Sequence, residues 1–243
     1  MKTKKGTNQA DRSYPLLSVD AVIFSVINDQ LSVLLVKRAT IPEEKLTYPF
    51  QGRWALVGGV IDVGQDKSLE AAAMRKLREK TNVESPYLEQ LQSFGDAHRD
   101  PRKWSATVAY FALIPSDGVA LAEGRGVEQA RWWPIEDAMK LKLAFDHNAI
   151  LQAGVERLRA KVEYTSLPAN LLPKEFTLTE LQHIYEVILG RPLEQSAFRK
   201  RMLAADFLIE GRKIRQSSAG RPAALYRVKP GHEAVFFPRT FYV

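Results

Sequence analysis

The sequence predicts an α+β chain in two parts: a mixed sheet with helices on its faces, then a smaller helix–turn–helix unit ending in a basic hairpin. Three observations carry this. The first is the 243-residue length, too long for one average domain and comfortable for two. The second is a run of β-branched strands interrupted by helical spacing in the first two thirds. The third is a change of grammar near residue 165, where a capped helical pattern is followed by a second one.

The first part opens with Val19–Val26 (VDAVIFSV) and Leu31–Lys37 (LSVLLVK), two apolar runs around Ile27-Asn28-Asp29-Gln30. Asn-Asp between such runs predicts a tight hairpin. Trp54–Val57 is a short strand that ends at Gly58-Gly59. Leu69, Ala72, Ala73 and Leu77 give Ser68–Lys80 helical spacing. Tyr87–Phe94, Ser105–Ile114 and Glu128–Trp133 read as further strands, with Asp100-Pro101 marking a loop. Phe145–Val162 reads as a long amphipathic helix through Ile150, Leu151, Val155 and Leu158. A mixed sheet with helices on its faces is the economical arrangement of this order.

Pro168 and Pro173 argue against a continuing helix, so residues 165–176 are assigned as linker. This divides the chain into a flexible basic tail (1–14), a sensor domain (15–164), the linker and a C-terminal domain (177–243). In the last of these, Thr177 and Glu180 form a capping-box pattern. Leu178, Leu181, Ile184, Tyr185 and Ile188 follow at helical spacing, and Gly190 and Pro192 stop the helix. A second helix is expected over Glu194–Ile209, with Phe198, Met202, Ala205 and Ile209 inward and Ser196, Arg199 and Lys200 outward. Lys213–Gln216, a turn at Ser217–Pro222 and Leu225–Val228 complete a hairpin with a basic tip. Helix, turn, helix and basic hairpin is the plan of a winged helix.

Charge supports a nucleic-acid partner for that unit. The chain carries a net +7, and residues 165–243 hold 12 Lys+Arg against 7 Asp+Glu. A basic face on a small domain is the usual footprint of DNA. Arg199 is suited to a base edge, and Ser196, Lys200, Lys213, Arg215, Gln216, Ser217 and Arg221 to phosphates or the minor groove. There is no cysteine, which excludes disulfides, zinc fingers and thiol catalysis. The N-terminal lysines precede no apolar run, and no window is long and apolar enough for a membrane span. A cytoplasmic protein is expected.

From Gly59 the first part resembles the Nudix signature: Trp54-Ala55-Leu56 before the double glycine, Ser68-Leu69-Glu70-Ala71-Ala72, then Arg75. The resemblance implies a Nudix-type α/β/α sandwich. The departures bear on chemistry. The first signature glutamate falls on Gln65, and the loop to Arg75 is two residues longer than the signature. Lys76 stands in place of a glutamate, Glu79-Lys80 in place of a glutamate pair, and Asn82 in place of the closing glycine. Nudix hydrolases hold divalent cations on carboxylates at i, i+3 and i+4, one face of a helix. Lysine has no acceptor and brings positive charge where the metal would sit. No catalytic residue, metal site or required cofactor is therefore expected, and hydrolysis is the least favoured reading.

A diphosphate pocket without metal still needs counter-charge. Lys76 and Lys80 supply it, or else are solvated helix charges; position alone does not choose. Gly58 and Gly59 allow close backbone approach. Arg38, Arg53, Arg75, Glu79, Arg99 and Arg102 complete the candidate ligand set, with Arg75 open to a bracing role as well. His98 and His147 read as hydrogen-bonded structural residues.

As a set, further segments resemble one bacterial family. They are Leu143-Ala144-Phe145-Asp146-His147, Phe176–Leu181, Tyr185-Glu186, Leu189-Gly190, Phe198–Leu203, Gly220-Arg221-Pro222-Ala223 and Leu225-Tyr226-Arg227. That family is the Nudix-related transcriptional regulators of NAD metabolism. The resemblance implies a homodimeric repressor of NAD synthesis or salvage genes on a palindromic double-stranded operator, released by ADP-ribose as effector. Two alternatives remain open: a regulator of another pathway, such as pentose catabolism, that senses a different sugar nucleotide, and a Nudix hydrolase.

Overall fold

A computed structural model describes residues 14–40, 48–81, 87–116, 127–215, 223–232 and 234–237. Strands β1 (Leu16–Ile27) and β2 (Gln30–Arg38) form the expected hairpin. Asn28 and Asp29 both take positive φ, 48° and 60°. Two left-handed residues in succession give the turn whose twist matches paired strands, and Asn and Asp tolerate that conformation better than other non-glycine residues.

The double glycine lies inside a strand rather than after one. β3 (Trp54–Ala55) pairs with β2, and β4 (Val57–Val60) pairs with β1, with Val19 opposite Gly59 and Asp20 opposite Gly58. Helix α1 (Leu69–Thr81) follows, then β5 (Tyr87–Asp96), β6 (Ser105–Leu113) and β7 (Val127–Pro134). β1 runs parallel to β6, while the other pairings in this seven-stranded sheet are antiparallel. The sheet is mixed, as the element order required.

Both of its faces are covered. Val19, Ala21 and Ile23 of β1 pack on one side with Ala72, Ala73 and Leu77 of α1. Val22 and Phe24 pack on the other with Ile150, Leu151, Val155 and Leu158. Successive strand residues face opposite ways, so a doubly covered strand reads as a continuous apolar run. Each fully buried Leu or Ile contributes about 1.5–3 kcal/mol.

The second covering helix, α3 (His147–Val162), comes after the one-turn α2 (Ile135–Ala138). It starts two residues later than its apolar spacing predicts, because Phe145 sits at φ 54° and Asp146 takes the N-cap position. The chain then enters a short 3-10 helix, Leu167–Leu171, whose five residues are all buried. The first half of the stretch read as linker from its prolines, 165–171, is thus packed in the core, while Pro173, Lys174 and Glu175 are exposed.

Helix α4 (Leu178–Leu189) has the capping box read from Thr177 and Glu180: Thr177 Oγ1 accepts from the Glu180 N–H at 3.1 Å, and Glu180 accepts from the Thr177 N–H at 2.7 Å. Gly190, at φ 69°, closes it. Helix α5 (Gln195–Ala204) is shorter than expected. Asp206, at φ 54°, turns the chain, Phe207 is fully buried, and Ile209 lies in β8 (Leu208–Arg215) rather than on the helix. β8 pairs antiparallel with β9 (Ala223–Val228), which completes the winged helix. Its core residues Leu181, Tyr185, Phe198, Met202 and Phe207 join the α3-side cluster without a break, so sensor and C-terminal unit share one apolar core.

Candidate ligand cleft and nucleic-acid interface

The Nudix-like box is closed on itself. Arg75 donates from Nε and Nη2 to the two Asp66 oxygens, both at 2.6 Å, and from Nη1 to Glu79 at 2.6 Å. The hydrogen bonds from Arg75 hold the Asp66 carboxyl at about 2, below its ordinary range. Burial pushes Glu79 up, but the Arg75 hydrogen bond and the Lys76 charge outweigh it, so Glu79 also lies below its usual value. Gln65, where the signature has glutamate, turns back to donate to Asp62 at 2.7 Å. Arg75 therefore takes the bracing role, tying the long loop to α1.

Lys76 projects from the same helix toward the glycine strand. A Cβ on Gly59 would lie 3.3 Å from its Cε. Its Nζ is 3.6 Å from Glu79, too long for a full hydrogen bond. The Lys80 side chain lies outside the described residues.

Two other arginines, Arg38 and Arg53, stand beside aromatic rings, and the charge of a third, Arg102, is felt at Arg38. Arg38 donates from Nε to the Pro49 carbonyl at 2.9 Å, and its guanidinium stands 4.0 Å from the Tyr48 ring centre and 5.0 Å from that of Phe145. Burial lowers its pKa, with Arg102 among the charges that add to the effect. Arg53 stands over Phe50 at 5.3 Å, and Phe50 meets Phe145 edge-on at 4.7 Å. Arg102 is held to Asp100 by bonds of 3.0 and 2.6 Å. Guanidinium groups backed by rings suit a ligand that is anionic at one end and flat at the other. The sequence reading missed Tyr48, Phe50 and Phe145. An aromatic cluster in a loop, away from any strand period, was the available signal for the first two.

The structure corrects the expectation for Arg99 as a phosphate or ribose partner: its side chain is only 4% exposed. It donates to Asp146 at 3.0 and 2.8 Å and lies 3.6 Å from Asp20. Burial disfavours its charge, yet the Asp146 hydrogen bonds and the nearby carboxylates outweigh that and raise its pKa. Gly58 is a second correction. A Cβ there would fall 2.1 Å from Asp20 Oδ1 and 2.4 Å from the Val19 carbonyl, so the glycine makes room for this buried brace rather than for a ligand. His147 belongs to the brace: its Nδ1 accepts from the Leu56 N–H at 2.9 Å, and burial drives its pKa down.

The C-terminal unit is the opposite case. Glu194 caps α5 by accepting from the N–H groups of Ser196 and Ala197. Phe198 and Met202 are buried, while Ser196, Arg199 and Lys200 are exposed along the outer side. Arg199 and Lys200 make no ion pair among the described residues. Lys213 and Arg215 lie on β8 with side chains outside the described residues, as do Gln216, Ser217 and Arg221 altogether.

Two family descriptions match this arrangement: the NUDIX domain over residues 17–153, and the NrtR DNA-binding winged helix domain over residues 168–228. The chain belongs to the NrtR family. An NrtR-type relative, the "ADPR responsive transcriptional repressor NtrR" of Acinetobacter baylyi, is 46% identical over 231 residues, 95% of this chain and 89% of its own. The crystal structure of Shewanella oneidensis NrtR complexed with a 27mer DNA has 42% identity and a TM-score of 0.82, covering 93% of this chain and 99% of that one. The Nudix domain of the same NrtR, solved with ADP ribose, is 41% identical with a TM-score of 0.54, over 63% of this chain and 94% of that one. The two regions set apart by geometry, one rich in braced charge and one whose Arg199 and Lys200 have no ion pair among the described residues, fall in the two matched domains.

Proposed function

We propose that this protein is an ADP-ribose-responsive transcriptional repressor of NAD biosynthesis or salvage genes, with a catalytically inactive Nudix domain as its sensor. The observation that carries this reading is Lys76. It occupies a metal-carboxylate position of the box and lies along Gly59, while Glu79, a carboxylate the box retains, is committed to Arg75. That donor set does not fit Mg²⁺ or Mn²⁺, which need several free oxygen ligands. It does fit a diphosphate held by cations.

Arg38, Arg53, Arg102 and Lys76 would supply the charge around the effector, and Phe50 and Phe145 a flat apolar wall. Ser196, Arg199 and Lys200 would meet the operator in the major groove, with the β8–β9 hairpin on the backbone beside it. A homodimer on a palindrome follows from the usual symmetry of such readers. Its place of work is the cytoplasm, where the operator is.

The test is fluorescence anisotropy of labelled DNA from upstream of NAD-synthesis genes, titrated with and without ADP-ribose. Specific binding reversed by ADP-ribose is expected. Specific binding indifferent to ADP-ribose would move the effector to another sugar nucleotide and the target to another pathway. Binding no tighter than to random DNA, together with metal-dependent release of AMP, would overturn the reading in favour of a hydrolase.

A further inference from the structure

The end of α3 is where the sensor meets the DNA-reading helix, and four segments converge there. Thr165 Oγ1 donates back to the Lys161 carbonyl at 2.7 Å, and the Tyr185 hydroxyl of α4 donates to the Thr165 carbonyl at 2.6 Å. The segment after β9 returns to the same place. Ser166 N–H donates to the Val235 carbonyl, Val235 N–H to Ser166 Oγ, and Phe237 N–H to the Tyr164 carbonyl. Thr165 and Ser166 are buried beneath these contacts.

Helix α5 reaches this hub through one polar side chain. Arg201 Nη2 donates to the Glu163 carbonyl, the C-cap of α3, at 2.7 Å. Its guanidinium stands 5.1 Å from the centre of the Phe237 ring, and Phe237 packs on Phe207 just past the end of α5. Its charge is also felt at the buried Tyr185 phenol. Arg201 lies one residue from Lys200 and two from Arg199 and is itself exposed, yet its Nη2 is turned back onto the backbone of α3. At the far end of α3, Phe145 and Asp146 belong to the arginine–ring cluster and the Arg99 brace. Sixteen residues of helix, about 24 Å, separate the two ends.

From this we infer that Arg201 is a positioning residue for DNA recognition: it fixes the reading helix to the C-terminal end of α3, and so transmits the state of the sensor to Arg199 and Lys200. A cation on a helix C-terminal carbonyl, stacked on a ring, resists rotation in a way that apolar contacts alone do not. The inference rests on the repressor reading for its ligand half, and on the winged-helix geometry alone for its DNA half.

The experiment compares full-length wild type, Arg201→Ala, Arg201→Lys and Phe237→Leu. Four quantities are measured: affinity for operator, affinity for random DNA, the salt dependence of each, and ADP-ribose affinity without DNA. For Arg201→Ala the expected result is about tenfold weaker operator binding, with random-DNA affinity, salt slope and ADP-ribose affinity unchanged. The factor by which ADP-ribose weakens operator binding should shrink toward one. Phe237→Leu, away from the DNA face, should move the same quantities in the same direction. The double variant should lose less than the sum of the two singles. Arg201→Lys should recover part of the loss.

A salt slope lower by about one unit, with operator and random DNA weakened alike, would make Arg201 a phosphate contact and overturn the inference. A lowered melting temperature with all affinities reduced together would also overturn it, leaving a fold-stability role. If wild-type operator binding ignores ADP-ribose, the ADP-ribose part of the repressor reading fails on that control alone. The loss of operator preference in Arg201→Ala then still decides the positioning role.

Discussion

The box helix α1 and the proposed reading helix α5 carry similar arginine- and lysine-rich segments, Arg75-Lys76-Leu77-Arg78 and Arg199-Lys200-Arg201, yet they handle charge in opposite ways. On α1 the guanidinium of Arg75 is closed by Asp66 and Glu79. On α5 Arg199 and Lys200 stand exposed with no ion pair among the described residues. Charge neutralised inside a protein is architecture, while charge left open faces an external partner. Arg99 and Arg102, three residues apart, are both ion-paired and differ in exposure: Arg99 is sealed beneath Asp146, while Arg102, held by Asp100, keeps about a third of its side chain open.

The sharpest way to break this contrast is to open a sealed charge. Asp146→Ala strands Arg99 in the core with Asp20 as its remaining carboxylate at 3.6 Å. A loss of about 3 kcal/mol is expected, read as a lower urea midpoint at neutral pH. A loss below about 1 kcal/mol would show the brace to be dispensable. Next in size, removing the open charges with Arg199→Ala and Lys200→Ala should leave thermal stability alone. It should weaken operator binding by roughly 30- to 100-fold, given about 1–3 kcal/mol for a base-reading contact. The salt slope should fall by one to two units. Full retention of operator affinity would move the interface off α5.

Lys76 stands between the two classes, partly screened by Glu79 and partly open. Lys76→Ala should lower ADP-ribose affinity by about tenfold in calorimetry, and unchanged affinity would return this lysine to the solvated surface. The smallest effect is the pH dependence of the Asp66 pair. With a folded value of about 2 and an unfolded one near 3.9, Asp66 binds protons more weakly when folded. Its stabilisation is therefore complete above about pH 4 and fades as pH falls toward 2. The midpoint difference between wild type and Asp66→Asn should close over that window. A difference that stays constant from pH 5 to pH 2 would contradict it.

Local chemistry was legible in the sequence. The Asn28-Asp29 turn, the Thr177–Glu180 box and the inward set of α4 all depend on residues within a few positions of one another. What escaped depends on separation. Nothing near Arg99 marks it as buried, because Asp146 lies 47 residues away. The apolar spacing through Ala205 and Ile209 continues the period of α5, but the left-handed turn at Asp206 ends the helix, and Ile209 serves the strand that follows. Phe50 and Phe145 meet across 95 positions, each at positive φ, a conformation that no propensity assigns to phenylalanine. The two-domain plan is readable because it follows from runs of pattern, whereas the candidate ligand site is assembled from loops whose partners only the fold reveals.

The short segment at 234–237 has a consequence for how the molecule comes into being. It is synthesised after everything it fastens: the end of α3, the 165–166 junction and, through Phe237, the stacking partner of Arg201. Domains emerge and fold in order during translation. The sensor sheet and helices α3, α4 and α5 can therefore form while this seam still lacks its last stitch. A nascent chain would hold α5 before it holds that helix in register with the sensor, and the joint would be completed only when residues 234–237 have emerged.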